Sequence, residues 1–416
     1  MSRINDLIKK LCPNGVIFKR IGEIANYRRG SFPQPYTNES YYGGEDAMPF
    51  VQVADVKDNF RLVDSTKNTI SKLAQPLGVF VPKGTVIVTL QGTIGRVAIT
   101  QYDAYVDRTL AIFEGLSSEL NTKYFVYQLK SKFDYEKQFA RGSTIKTVTK
   151  EEMTEFKIPI PPIEVQEEIV RILDKFGKLE AELEAELEAR KNQYEFWREK
   201  LLNRGNFNQQ YITLGDIGKV CMCKRIMKNE TSDSGDVPFY KIGTFGKQAD
   251  AYISYDIFND YKKRFSYPKK GEILVSCSGT IGRSVVFDGK DAYFQDSNIV
   301  WLNNDERKIL NKFLYYFYQT SPWNVSDGGT IKRLYNNQFI SAKVPLYSLE
   351  EQKRIVNILE HFDKLINDIS EGLPAEIELR RKQYEYYRNK LLNFEELKNE
   401  WYFIFNYWWI SKWYSK

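Results

Sequence analysis

The chain repeats itself. Gly142-Ser143-Thr144-Ile145-Lys146 returns as Gly328-Gly329-Thr330-Ile331-Lys332, and Gln166 of Glu164-Val165-Gln166 returns as Gln352 of Glu350-Glu351-Gln352, both at an offset of 186 residues. Thr93-Ile94-Gly95-Arg96 returns as Thr280-Ile281-Gly282-Arg283 at an offset of 187. Matched blocks in one order and at nearly one offset mark a tandem duplication, which constrains architecture before any local signal does. At 416 residues the chain is also long for a single core. Two similar modules in tandem are expected.

Each module opens on a short strand-like stretch, Ile21-Gly22-Glu23-Ile24 in the first and Leu214-Gly215-Asp216-Ile217 in the second. An apolar strand follows, Pro49-Phe50-Val51-Gln52-Val53 against Pro238-Phe239-Tyr240-Lys241-Ile242. Next comes a glycine-punctuated hairpin, from Gly84 to Gly95 and from Gly271 to Gly282, whose β-branched runs bounded by glycine are a strand and turn signature. Helix-like stretches, Asn121 to Ala140 and Lys308 to Ser321, precede the two Thr-Ile-Lys loops. Each module therefore reads as α+β, mostly strands in a small curled sheet.

The apolar period then changes from two to seven. Val165, Ile169, Ile172, Phe176, Leu179 and Leu183 alternate spacings of four and three, and the seam resumes through Leu187, Tyr194, Trp197 and Leu201. Ile355, Ile358, Phe362, Leu365, Ile369, Leu373, Ile377, Tyr384, Tyr387 and Leu391 carry it in the second copy. This is the pattern of a coiled coil. Gln193-Tyr194-Glu195 and Gln383-Tyr384-Glu385 are 190 residues apart, so four residues are inserted near Gly372-Leu373-Pro374, a stutter at which Pro374 can kink the helix. The expected fold is two tandem α/β modules separated by two long helices that pair as an antiparallel coiled coil, with approximate two-fold symmetry. The segments are 1–162, 163–204 (first long helix), 205–347, 348–394 (second long helix) and a tail, 395–416.

Chemistry is scarce. One histidine, His361, sits in the second helical segment, so neither Ser-His-Asp nor Cys-His catalysis has its parts. The four cysteines form no C-x-x-C pair, which argues against a zinc site or a disulfide framework. Every Gly-Lys dipeptide lacks the Ser or Thr of a phosphate-binding P-loop. Asp55-Val56-Lys57 with Asp46 upstream is only a loose nuclease-like match. No apolar run reaches a membrane span and the first residues carry no signal core, so a cytoplasmic, reduced protein without cofactor or metal is expected.

The remaining reading is binding. A net charge of +6 permits a nucleic-acid partner without demanding one. Features shared by the copies point to framework or sequence-independent contact: Thr93 and Arg96 with their twins Thr280 and Arg283, and Lys146 with Lys332, whose cations suit phosphates. Features that differ are where selectivity would lie: Arg28, Arg29, Gln34 and Gln91 in the first module, with Tyr36, Tyr41 and Tyr42 nearby, and Lys224, Arg225, Lys241 and Ser278 in the second, with the basic run Lys262-Lys263-Arg264. Arginine matches the guanine edge, and Asn or Gln the adenine edge.

Taken together, Leu11-Cys12-Pro13-Asn14-Gly15-Val16, the two Gly-Thr-Ile-Gly hairpins, the run from Ile158 to Gln166 and the run from Arg381 to Arg388 resemble the specificity subunit of type I restriction-modification enzymes over residues 1 to about 394. The resemblance implies two target recognition domains that each read half of a split, asymmetric DNA site. It also implies paired helices that fix the gap between the halves and dock two methyltransferase subunits, with two motor-nuclease subunits joining for restriction. S-adenosylmethionine would be carried by the methyltransferase, not by this chain.

Two other readings stay open at this level: a coiled-coil scaffold whose globular modules bind proteins, and a self-contained nucleic-acid enzyme. The aromatic tail, with Trp401, Trp408, Trp409 and Trp413, departs from the family pattern. It packs on the short N-terminal helix (Asn5 to Leu11), is read-through sequence with no role, or, as the weakest of the three readings, anchors at a membrane surface.

Overall fold

The computed structural model describes residues 2–139, 153–202, 209–324 and 332–397. Its described helices are α1 (Ser2–Leu11), α2 (Ile21–Ile24), α3 (Thr122–Phe139), α4 (Ile163–Leu202), α5 (Tyr255–Arg264), α6 (Asn311–Tyr318), α7 (Asn336–Ser341), α8 (Leu349–Asn367) and α9 (Leu373–Leu392). The chain forms two compact units, Met1–Glu182 with Ile377–Lys416, and Leu183–Glu376. The first half of α4 belongs to one unit and its second half to the other. The units thus cut across the segments read from sequence.

The first unit holds β1 (Ile17–Arg20), β2 (Asn26–Arg29), β3 (Met48–Val51), β4 (Asn68–Ile70), β5 (Phe80–Val81), β6 (Val86–Thr89), β7 (Val97–Ile99), β8 (Ala104–Val106), β9 (Leu110–Glu114) and β10 (Lys157–Ile160). They make a four-stranded sheet in the order β2-β9-β6-β7, a second in the order β4-β3-β8-β5, and a β1-β10 pair. The unbroken apolar run of β6 follows from its position between two cores. Val86 and Val88 join Ala111, Phe113, Tyr124, Phe125 and Phe133 on the α3 side, whereas Ile87, Ala98 and Ile112 meet Val51, Val81, Ala104 and Val106 of the second sheet. A strand buried on both faces loses the polar alternation of a surface strand.

The second unit repeats this plan with β11 (Tyr211–Thr213), β12 (Gly218–Cys221), β13 (Val237–Tyr240), β14 (Tyr252–Ile253), β15 (Ile273–Ser276), β16 (Ser284–Val286), β17 (Tyr293–Phe294), β18 (Ile299–Asn304) and β19 (Lys343–Pro345). Its main sheet, β12-β18-β15-β16, corresponds strand for strand to β2-β9-β6-β7. The parallel pair β3-β8 has its counterpart in β13-β17, and β1-β10 in β11-β19. Ile273 and Val275 again face the helix side, and Leu274 faces the other sheet. The smaller sheet has three strands instead of four, and α5 is an addition of this unit.

A buried glutamine ties the long helix to its sheet in both units. Gln166 accepts from the Asn121 N–H (2.8 Å) and donates to the carbonyls of Glu119 and Pro161 (2.8 Å each). Gln352 accepts from the Leu310 N–H (2.8 Å) and donates to the carbonyls of Lys308 (2.8 Å) and Tyr347 (2.9 Å).

Helix pairing is antiparallel in each unit. In the first, Phe176 of α4 stacks on Tyr387 of α9 at 5.4 Å between ring centres, and Glu180 pairs with Arg381 at 2.6 Å. In the second, Tyr194 of α4 meets Phe362 of α8 at 6.3 Å, and the Tyr347 hydroxyl donates to the Leu201 carbonyl (3.3 Å). The heptad seam is buried toward the ends of α4, at Val165, Ile169, Tyr194 and Leu201, but Leu179 is exposed.

Two local readings change. The strand-like openings are instead a helical turn, α2, and a tight turn at Leu214–Asp216, because an acidic third residue bonds back to the backbone that precedes it. The Arg20 N–H donates to Glu23 (2.9 Å) and the Thr213 N–H to Asp216 (3.2 Å), the reciprocal half of a capping box. The second long segment is not one kinked helix but two. The Asp368 carboxylate accepts from the N–H groups of Ser370 (2.7 Å) and Glu371 (3.2 Å), ending α8. A Cβ on Gly372 would lie 2.6 Å from the Asp368 carbonyl oxygen, so glycine is required there. Pro374 sits in the first turn of α9, where its missing N–H costs no helical bond. Of the tail, Glu395–Leu397 runs beside Val16, whose N–H donates to the Glu395 carbonyl (2.9 Å) and whose carbonyl accepts from Leu397 (2.8 Å). Residues 398–416, with the tryptophans, lie outside the described residues.

Candidate nucleic-acid interface

The glycine hairpins are the same object in both units. Thr89, the last residue of β6, donates its hydroxyl to the Thr93 carbonyl, and the N–H groups of Gly95 (2.9 Å) and Arg96 (3.0 Å) donate to the Thr89 carbonyl and hydroxyl. Ser276, which ends β15, repeats these bonds with Thr280, Gly282 (2.9 Å) and Arg283 (3.0 Å). Gly92 and Gly279 both have φ +64°, while Gly95 and Gly282 have +75° and +83°, left-handed values that favour glycine. Thr89 and Ser276 were not singled out by sequence. Each is a β-hydroxyl residue three positions before the first hairpin glycine, a signal visible once the copies are aligned.

The hairpin arginines turn inward. Arg96 grips Asp58 through Nε and an Nη nitrogen (3.1 Å each) and donates to the Val56 carbonyl (3.3 Å). Arg283 donates to the Phe245 carbonyl (2.9 Å) and to the Thr280 hydroxyl (3.4 Å). Both therefore brace the segment that follows β3 or β13. Gln91, Thr93 and Thr280 are exposed at the tips.

Strand register gathers most of the other candidates at the same sheet end. Arg29 lies across from Ala111, and Thr89 from Leu110, so the exit of β2 and the β6–β7 hairpin share one end of the sheet. Arg29 is exposed, its Nε 3.4 Å from the Tyr27 hydroxyl, whereas Arg28 forks onto Glu114 (2.9 and 2.5 Å). Gln34 is exposed on the segment leaving β2, between Ser31, which bonds the Val106 carbonyl (2.9 Å), and Tyr36, whose hydroxyl donates to buried Asp107 (2.5 Å). Burial, then Asp107, pushes the Tyr36 phenol far above its ordinary value. Tyr36, Tyr41 and Tyr42 pack on Phe32 rather than standing free. Arg108, which sequence did not single out, lies 5.4 Å over the Tyr36 ring.

The second unit is equipped differently at the same place. Cys221 lies across from Trp301 and Ser276 from Ile299, so Lys224 and Arg225, just past β12, share an end with Ser278. Lys224 sits 5.2 Å over the Phe265 ring, and Arg225 lies 4.0 Å from Asp296. Lys241, at the exit of β13, pairs with Asp250 (2.9 Å). Ser278 donates to Asn298 (2.9 Å) beside Ser297, a left-handed residue (φ +51°) whose carbonyl accepts from Arg333 (3.1 Å). Arg333 was also missed, although it adjoins Lys332, which is exposed. Lys146 lies outside the described residues.

Burial raises the Cys223 and Cys277 thiols to about 12, away from the thiolate form that metals and electrophiles need. Among the described residues no cluster of three or more His, Cys, Asp or Glu could hold a metal ion, and no helix is long and apolar enough to cross a membrane.

Residues 13–189 and 208–379 each match the profile of the type I restriction modification DNA specificity domain. A putative type I restriction enzyme specificity subunit of Haemophilus influenzae is 54% identical over 264 residues, 62% of this chain and 68% of that protein. The EcoR124I/EcoR124II specificity subunit of Escherichia coli is 35% identical over 260 residues, 57% of this chain and 63% of that subunit's length. A chain from a solved structure of type I restriction-modification complex assembly superposes with a TM-score of 0.60 at 16% identity, covering 92% of this chain and 98% of that one, a likeness of fold.

Proposed function

This chain belongs to the type I restriction-modification DNA specificity family, and from that premise we propose that it reads a bipartite, asymmetric duplex sequence, one half with each unit. It is a specificity subunit, a DNA-recognition component rather than an enzyme. The helical segments set the gap between the half-sites and dock two methyltransferase subunits, with two motor-nuclease subunits joining for cleavage. Methyl transfer and cutting belong to those partners, in the cytoplasm.

The observation that carries this reading is a common frame with different side chains. Thr89 and Ser276 close equivalent hairpins at equivalent sheet ends, yet Arg29, Gln34 and Gln91 surround one and Lys224, Arg225, Lys241 and Ser278 the other. Phosphate contacts position a protein on DNA without reading sequence, and base-edge contacts specify it. Shared Arg96, Arg283, Lys146 and Lys332 suit the first task, and the unshared residues suit the second.

Module exchange tests the reading. Residues 17–158 are replaced by the corresponding module of a relative, and the site methylated by the complex with the methyltransferase is mapped. One half of the site changes and the other stays. A change in both halves, or in neither, contradicts the proposal.

A further inference from the structure

Cations assigned above to DNA already hold carboxylates. Arg96 forks onto Asp58 through two contacts of 3.1 Å, and Arg28 onto Glu114 through contacts of 2.9 and 2.5 Å. Lys241 lies 2.9 Å from Asp250, and Arg225 lies 4.0 Å from Asp296. A carboxylate presents to a guanidinium the same pair of acceptors as a phosphate, and the guanine edge offers a similar pair.

The Asp58 clamp is built into the fold. It sits in a turn closed by the Lys57 N–H on the Arg61 carbonyl (2.9 Å), and that turn contains Phe60 at φ +62°. A non-glycine residue is held in the left-handed region only when its surroundings fix it there. Phe60 is fixed by its ring, edge-on to Tyr127 at 5.0 Å, and by its carbonyl, which accepts from the Ile99 N–H (3.1 Å). Asp58 itself is 72% exposed, so its hold on Arg96 is open to exchange with an incoming anion. Arg283, the twin of Arg96, has a backbone carbonyl in place of the carboxylate.

We propose that Asp58, Glu114 and Asp250 are specificity-determining residues that act as phosphate surrogates. They occupy DNA-contacting cations in the free protein, lower its affinity for arbitrary duplex, and are displaced at the target, where base contacts offset their loss. Sequence-independent binding is almost wholly electrostatic, so neutralising these cations suppresses it more than it suppresses target binding. The inference rests on the proposed DNA-reading function.

The test uses the full chain with its methyltransferase partner, and measures affinity for a target duplex and a scrambled duplex across a salt series. Asp58→Asn, Glu114→Gln and Asp250→Asn keep the shape and remove the charge. Each raises affinity for scrambled duplex by about three- to tenfold and steepens the log–log salt slope by about 0.9, while target affinity stays nearly constant. Unchanged affinity and slope on scrambled duplex in all three variants overturns the proposal, as does an equal loss on both duplexes. Arg28→Ala and Arg96→Ala separate the two levels of the argument. If they weaken DNA binding while the carboxylate variants change nothing, the surrogate role alone fails. If they leave both duplexes unaffected, these cations do not meet DNA, and the assignment of the interface fails as well.

Discussion

Gln166 and Gln352 are fully buried, and each takes one backbone N–H and donates to two backbone carbonyls at the junction of a sheet with its long helix. A buried polar group left without its partner costs about 1–3 kcal/mol. Gln166→Ala strands three such groups and lowers the local stability of the first unit by about 3 kcal/mol. Hydrogen exchange reads this as lost protection around Asn121–Phe125, with the second unit unaffected, and Gln352→Ala gives the mirror result around Leu310–Leu314. Loss of protection in both units from one substitution contradicts this account.

The hairpin glycines are not equivalent to one another. A Cβ on Gly95 would lie 2.5 Å from the Phe133 Cβ, whereas one on Gly92 finds nothing nearer than 3.6 Å. Gly92→Ala therefore bears only the left-handed backbone cost, roughly 1–2 kcal/mol. Gly95→Ala adds a clash with a buried ring and costs more, about 3 kcal/mol. Thermal unfolding of the two variants ranks them, and equal losses contradict the packing described.

Much of the fold was legible because the copies check one another. The glycine hairpins, the β-branched runs and the Gln166/Gln352 blocks align, and two occurrences separate signal from accident. The helical turn at Ile21–Ile24 was not legible, because its cap comes from Glu23 reaching back to the Arg20 backbone without a Ser or Thr before it. The stop at Asp368 was masked by Pro374, the louder breaker, which lies harmlessly in the next helix. The cations of the interface could be picked from sequence, but their partners could not. Asp58 is 38 residues from Arg96, and Glu114 is 86 from Arg28; a turn after β3 brings the first pair together and strand register the second.

Burial raises the Glu272 carboxyl above its ordinary value, although the Lys269 N–H donates to it at 2.6 Å. A carboxyl with a raised folded pKa favours the folded state at low pH, below its unfolded value, and that contribution is lost as pH rises through the folded value. Glu272→Gln keeps an acceptor for Lys269 and removes the buried charge. The variant is more stable than the parent at pH 7, and the difference vanishes at acid pH. Denaturant titrations at both pH values check this, and a variant less stable at pH 7 contradicts it.

Arg96 and Arg283 occupy the same place on the common frame, and the reading above gives both a phosphate. Arg283→Ala weakens binding to target and scrambled duplexes by similar factors and reduces the salt slope by about 0.9, whereas Arg96→Ala, whose cation Asp58 holds away from arbitrary duplex, weakens target binding more than scrambled binding. In Arg283→Ala the preference among base sequences stays as it was. Arg29→Ala and Arg225→Ala, at unshared positions, instead relax selectivity at one half-site each. Fluorescence anisotropy over a salt series and a panel of single-base variants separates the two behaviours.

The central claim is that two differently equipped copies of one frame read two different halves of one site. Methylation mapping of a genome in cells expressing this chain with its methyltransferase tests it most directly. The account predicts a single motif made of two unlike short sequences separated by a fixed run of unread bases, and no methylation when this chain is withheld. A continuous motif, two identical halves, or the same methylation without this chain would contradict it.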